Sequence, residues 1–250
     1  MLTKKTVLVI GAGAGADFQM PAGDRLMKSI AADTNFQALR NGRGEGCPNV
    51  WRGSQTSGRS SEFAHRAGML ISEGLRFSNS IDDFLFTHGE NADVVLVGKV
   101  AITAAILRAE ANSLLRQVGS RVTSSEGAAF RDLEGCWLQK LLAHLSPGVR
   151  ASDPAAIFSN LTIINFNYDR CLEHYLHAAV RRHFGIDHNR ASQVMASLDI
   201  MHPYGTVGRL PWQEGPEPAT EFGHELEYVD LQAISAQIKT FTEQAHDEVK

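Results

Sequence analysis

The stretch Thr6-Val7-Leu8-Val9-Ile10-Gly11-Ala12-Gly13-Ala14-Gly15-Ala16 decides how this chain is read. Its first five residues are β-branched or otherwise apolar, which reads as a strand buried on both faces of a parallel sheet. The next six fit G-x-G-x-x-A, a glycine turn set directly after a strand. Asp24 to Ala32 then carries Leu26, Met27 and Ile30 at helical spacing. Strand, glycine turn and helix in that order open a doubly wound α/β fold. Lys4 and Lys5 before an apolar run also resemble a secretion signal. Met20-Pro21-Ala22-Gly23-Asp24 argues against that reading, because it continues as a structured element.

Outward from this start, residues 40–61 lack apolar periodicity and read as a flexible loop or insertion. The loop holds Arg40, Arg43, Arg52 and Arg59 around Trp51. It is either a solvated loop or a lid that contacts phosphate or nucleic acid. A run of helices is expected next, as an inserted helical block over about residues 62–150. Glu62 to Phe77 is one helix. Ser80-Ile81-Asp82-Asp83 is a capping-box pattern that starts another near residue 81. Ala92 to Val118 and Glu126 to Leu145 complete the block. Leu161 to Phe166 reads as the second strand, and Cys171 to Phe184 as a helix stopped by Gly185. Leu198 to His202 is a third strand ended by Pro203 and Gly205, and Asp230 to Gln244 a terminal helix. The fold class is therefore α/β, a mostly parallel sheet flanked by helices.

The 250 residues suit one α/β domain or two small ones. Apolar residues at 43% and charged residues at 21% lie near the globular average, which excludes collagen, coiled coil and wholesale disorder. A formal charge of −4 argues against a general nucleic-acid coat or an anionic-membrane binder. Cys47, Cys136 and Cys171 are scattered and form no CxxC pair, so no cysteine zinc module is available and a reduced, cytoplasmic compartment fits. No run approaches the length of a membrane span.

Three strand exits carry the chemistry. The turn at Gly11, Ala12, Gly13, Ala14 and Gly15 presents backbone N–H groups to an anion and lets a pyrophosphate approach closely. It lacks the Lys-Ser/Thr of a P-loop. Asp33 stands at the distance of a ribose-binding acid but on a helical segment, which weakens an NAD-linked dehydrogenase. Asn167 and Asp169 follow the second strand, where ligands bind in open parallel sheets. An Asx turn with Asp169 as helix cap is the structural alternative. His202 closes the third strand and can exchange a proton near neutral pH. The other helical histidines, His65, His144, His174, His177 and His183, read as packing or surface residues, with His174 and His177 a weak metal pair. Cys171 reads as core.

The segments VLVIGAGAGADFQMPAG (residues 7–23), SIDDFL (80–85), TIINFNYDRCLEHYL (162–176) and MHPYGTVG (201–208) together resemble the sirtuin-like domain family. The likeness is to its bacterial anti-phage defence group, such as the Thoeris and Argonaute-associated effectors. The resemblance implies a Rossmann-like NAD site and cleavage of the nicotinamide–ribose bond. It implies Asn167 and His202 as catalytic, with Asp169 the acid of the same motif. Gly11, Ala12, Gly13, Ala14, Gly15, Asp17, Pro21, Asn167 and Gly205 are then the NAD-binding positions. The chain departs from the family in three ways. It has no four-cysteine zinc module, which favours hydrolysis over deacylation. It has Gly15 where Ser or Thr is usual, and no late strand after Leu210 for the adenosine half, as if truncated at its C-terminus. The expected function is a regulated NAD+ glycohydrolase, NAD+ being substrate and no metal being needed. Expected partners are a second copy of the chain or a defence protein, with no membrane and no nucleic acid bound by this domain. The alternative is a module that binds NAD or ADP-ribose without turnover. An oxidoreductase is a third option, but no Tyr-x-x-x-Lys pair supports it.

Overall fold

The computed structural model describes residues 2–42, 44–55, 60–119 and 123–240. Three strands form an all-parallel sheet in the order β1-β2-β3: β1 is Thr6–Ile10, β2 Leu161–Asn165 and β3 Asp199–Met201. Val7 pairs with Thr162, and Thr162 with Asp199, so residues of matching register share a face. One face carries Ile10, Leu161, Ile163 and Asn165, all buried. The other carries Val7 and Val9, 60% and 61% exposed, and Met201, 46% exposed. The expectation that Thr6–Ile10 lies buried on both faces is therefore corrected. Among the described residues β1 is an edge strand, and its Val7–Val9 face lies open.

The helices, in chain order, are α1 (Gly23–Asp33), α2 (Phe36–Arg40), α3 (Pro48–Gly53), α4 (Ser61–Gly74), α5 (Ile81–Thr87) and α6 (Ala92–Asn112). They continue with α7 (Thr123–Asp132), α8 (Trp137–Leu145), α9 (Cys171–Phe184), α10 (His188–Met195) and α11 (Leu231–Ser235). Helix α6 is apolar all round, the mark of a helix enclosed by others. It packs against α1, α3, α4, α5 and α11, so its neighbours include elements on both sides of the 62–150 block. A single hydrophobic cluster joins these helices to the sheet through Ile10, Ile102, Leu107, Ile163 and Leu176.

Local chemistry sets many helix ends where expected. Ser80 Oγ accepts the Asp83 N–H at 3.0 Å and starts α5 at Ile81. Gly185, at φ +64°, ends α9 in the left-handed conformation that a Cβ disfavours. Other boundaries differ. The segment expected to be a flexible loop at 40–61 contains α3, whose Val50 is fully buried and whose Trp51 meets the Phe36 ring edge-on at 4.9 Å. Tertiary burial orders this stretch, which has no periodic pattern of its own. Arg43 and Arg59 lie outside the described residues. The helix read over Ala92–Val118 ends at Asn112, where Ser113 Oγ caps a following 3-10 turn, Leu114–Gln117. The helix read over Glu126–Leu145 is two, α7 and α8, parted by a turn at residues 133–136. Helix α10 was not expected. The terminal helix is short, ending at Ser235, and positions 241–244 of its expected span lie outside the described residues.

Candidate functional site

The glycine turn leaves β1 at Gly11 and winds through a 3-10 stretch, Ala12–Phe18. A Cβ at Gly11 or Gly13 would meet nothing within 4 Å, so the turn offers open backbone there. Gly15 is different: a Cβ would lie 2.7 Å from Met20 Cβ. Here glycine serves close packing against Met20. The turn is clamped from α8. Trp137 Nε1 donates to the Ala14 carbonyl at 2.8 Å, and the Trp137 N–H donates to Asp17 Oδ2 at 3.0 Å. Asp17 thus spends a carboxylate oxygen on the protein itself.

The β2 exit meets this turn. Phe166 N–H donates to the Ile10 carbonyl at 2.9 Å, continuing the parallel ladder past the strand. Asn165 Oδ1 accepts the Asn167 N–H at 3.1 Å in an Asx turn, and Asn167 Nδ2 donates to the Gly11 carbonyl at 3.1 Å. Asn167 lines a cavity of about 190 Å³ with Ala12, Pro21, Asp82, Tyr168 and Asp169. Tyr168 donates its hydroxyl to Asp82. Burial pushes the Asp82 carboxyl above its ordinary value against the pull of that hydroxyl. Burial and the Asp82 charge together push the Tyr168 phenol up. Asp169 is buried, and its Oδ1 accepts the Cys171 N–H at 3.1 Å in an Asx turn, while the residue that caps α9 is Arg170 and not Asp169. Burial raises its carboxyl, and the Cys171 contacts oppose the rise. Cys171 is core, its thiol pushed well up by burial.

The β3 exit joins the same end of the sheet through the main chain. Val207 N–H donates to the Tyr168 carbonyl at 3.1 Å. His202 lies between two oxygens: Nδ1 is 3.3 Å from the Asn167 carbonyl, and Nε2 is 2.6 Å from Glu173 Oε1. With an acceptor at each nitrogen, the doubly protonated ring is the form that satisfies both. Burial opposes the charge, but the Glu173 carboxylate, its hydrogen bond and the Asn167 carbonyl outweigh it and raise the ring above its ordinary value. His202 therefore touches Asn167 by its backbone, and its ring lines two other cavities, of about 820 and 300 Å³. Gly205 lines the 300 Å³ one, and its φ of +72° and close approach to the Gln237 carbonyl leave no room for a Cβ. So Ala12, Pro21, Asn167 and Asp169 line one cavity, with Gly11 bonded to Asn167 beside it, while His202 and Gly205 line another.

Asp33 lies at the end of α1, where Arg108 donates to both its oxygens at 3.1 and 2.9 Å, and holds no ribose-binding position. His174 stacks on Phe222 with 4.0 Å between ring centres, and burial lowers it to about 3. His177 stacks on Trp212 and is lowered to about 4 by burial. Among the described residues, no group of three His, Cys, Asp or Glu side chains is placed to hold a metal ion.

Sequence reasoning passed over Asp82 and Glu173. Asp82 carried a signal, since the capping box needs Ser80 and the residue at 83, leaving an acid in the first turn unaccounted for. Glu173 had none that pointed to residue 202, because their contact depends on how α9 lies against β3. No protein-family model matches the chain, and no curated protein or solved structure matches it either.

Proposed function

We propose that this chain is an NAD+ glycohydrolase of Rossmann-like, sirtuin-related type, cleaving NAD+ to nicotinamide and ADP-ribose. The observation that carries the reading is the bond from Asn167 Nδ2 to the Gly11 carbonyl, which joins the glycine turn to a small cavity. That cavity suits one ring of the substrate. The open backbone at Gly11 and Gly13 suits the diphosphate beyond it.

The reaction breaks the bond from the ribose anomeric carbon to the nicotinamide nitrogen, and the electron pair leaves with a neutral nicotinamide. The sugar passes through an oxocarbenium-like state, as in glycoside hydrolysis. The protein has to hold the ribose, place a water and take one proton from it. Asn167 orients the ribose or the water. Asp82 lines the same cavity, and its raised carboxyl is closer to working pH than an ordinary one. His202, expected as the base, takes that role only after releasing Glu173 or the Asn167 carbonyl. This pinned ring favours a second reading, a module that binds NAD or ADP-ribose without turnover.

Incubation with NAD+ and chromatography for nicotinamide separates the two readings. Turnover that falls about 100-fold or more in Asn167→Ala, with the fold intact, supports the hydrolase. A thermal shift with NAD+ and no nicotinamide supports the binder. Wild-type turnover in Asn167→Ala overturns the site. A cytoplasmic place, a regulated part in anti-phage defence and assembly with itself or a defence protein belong to the same proposal, on the resemblance alone.

A further inference from the structure

The cleft of about 820 Å³ beside β3 is separate from the cavity that Asn167 lines and shares only His202 with the reading above. Its size lies within the range of small-molecule sites, about 300–1,000 Å³. Its walls come from α9, α10, β3 and the turn at residues 211–214. Glu173, 3% exposed, lines this cleft and also the one of about 300 Å³. Its Oε1 holds His202, and its Oε2 is buried with no hydrogen-bond partner, the only such side-chain atom among the described residues. A buried carboxylate oxygen left unpaired is costly, and a bound donor removes the cost.

The rest of the lining narrows the chemistry of that donor. Trp212 and His188 supply planar rings. Gln213 gives its amide oxygen to the Leu210 N–H at 2.6 Å, and Gln193 gives its own to Arg190 Nη1 at 2.9 Å. Their NH2 groups remain as donors for a ligand's acceptors. Glu214, exposed at the rim, and Glu173 are the acids of the lining, and no lysine or arginine lines the cleft to receive an entering phosphate. A hydroxyl-bearing, uncharged molecule with a flat ring meets all of these conditions.

We infer that this cleft is a nucleoside site, in which ribose hydroxyls donate to Glu173 Oε2 and the base lies among Trp212 and the Gln193 and Gln213 amides. No residue that lines this cleft lines the cavity proposed for NAD+ cleavage. Glu173 and His202 line this cleft and Asn167 does not.

Calorimetric titration of the full chain with adenosine tests it. Saturable one-to-one binding is expected, at least tenfold weaker for AMP and for free ribose. Glu173→Gln is expected to weaken adenosine at least tenfold. Because that variant also alters the His202 contact, Trp212→Ala, on the wall, is measured beside it and is expected to lose affinity with His202 undisturbed. Asn167→Ala is expected to bind adenosine like wild type whether or not it cleaves NAD+, which separates this proposal from the first. No binding of adenosine, equal binding of AMP, or equal affinity in both cleft variants overturns it.

Discussion

Helix α9 begins with two buried ion pairs three residues apart, and they are built to opposite standards. Arg170, 1% exposed, meets Glu110 through Nε at 3.1 Å and Nη2 at 2.5 Å. Its remaining N–H groups reach the Thr220 carbonyl at 2.7 Å and the Glu221 carbonyl at 3.2 Å. Glu110 also accepts the Arg170 and Gly223 N–H groups. This pair is satisfied on both sides, and it ties α6 to the start of α9 and to the chain at 220–223. One turn on, Glu173 holds His202 with one oxygen and leaves the other empty. A closed network holds a fold together, whereas an open one stores a capacity to bind.

The widest separation between the two pairs is expected in stability. Glu110→Ala leaves the Arg170 guanidinium buried without its carboxylate, a loss of about 3–5 kcal/mol in urea unfolding. Glu173→Gln is expected to lose less than half as much, since His202 can shed its proton. Equal losses would erase the distinction.

Acid comes next. His174 and His177, also on α9, are lowered to about 3 and about 4, so the unfolded chain takes up protons below pH 6.5 that the folded chain refuses. Stability therefore falls as pH drops from 6.5 towards 4, by on the order of 3 kcal/mol. A flat profile over that window in thermal melts contradicts the burial of these rings.

The glycine turn provides a smaller contrast of the same kind, packing against openness. Gly15→Ala drives a Cβ into Met20 and is expected to cost about 1–3 kcal/mol. Gly13→Ala meets nothing within 4 Å, so melting is expected to stay near wild type while NAD+ affinity falls. The reverse pattern would remove Gly13 from the proposed diphosphate contact. The smallest effect belongs to His202. Its value is raised in the fold, so its contribution is full below the ordinary histidine range and is lost as pH rises through the raised value. Glu173→Gln should flatten that alkaline slope, as melts between pH 6 and 9 would register.

What was legible in the sequence was local. TVLVI followed by glycines gave a strand and a turn, Ser80 set a helix start, and Gly185 set a helix end. The parallel α/β character followed from the order of strands and helices. Misreadings arose where a distant contact overrides local pattern. The burial of Val50 goes with a helix in a stretch without periodicity, and β1 stands at the sheet edge with β2, some 150 residues along the chain, as its one described neighbour.

The sequence by itself determined that Gly11, Asn167 and His202 stand at strand exits, since strand ends are written in residues close together along the chain. Only the tertiary structure decided which way those side chains look. Asn167 turns to the glycine turn and Asp82, while His202 turns to Glu173. A side chain's direction at a strand exit is set by the helices packed over it, and the lie of α9 and α5 depends on burial gathered from the whole chain.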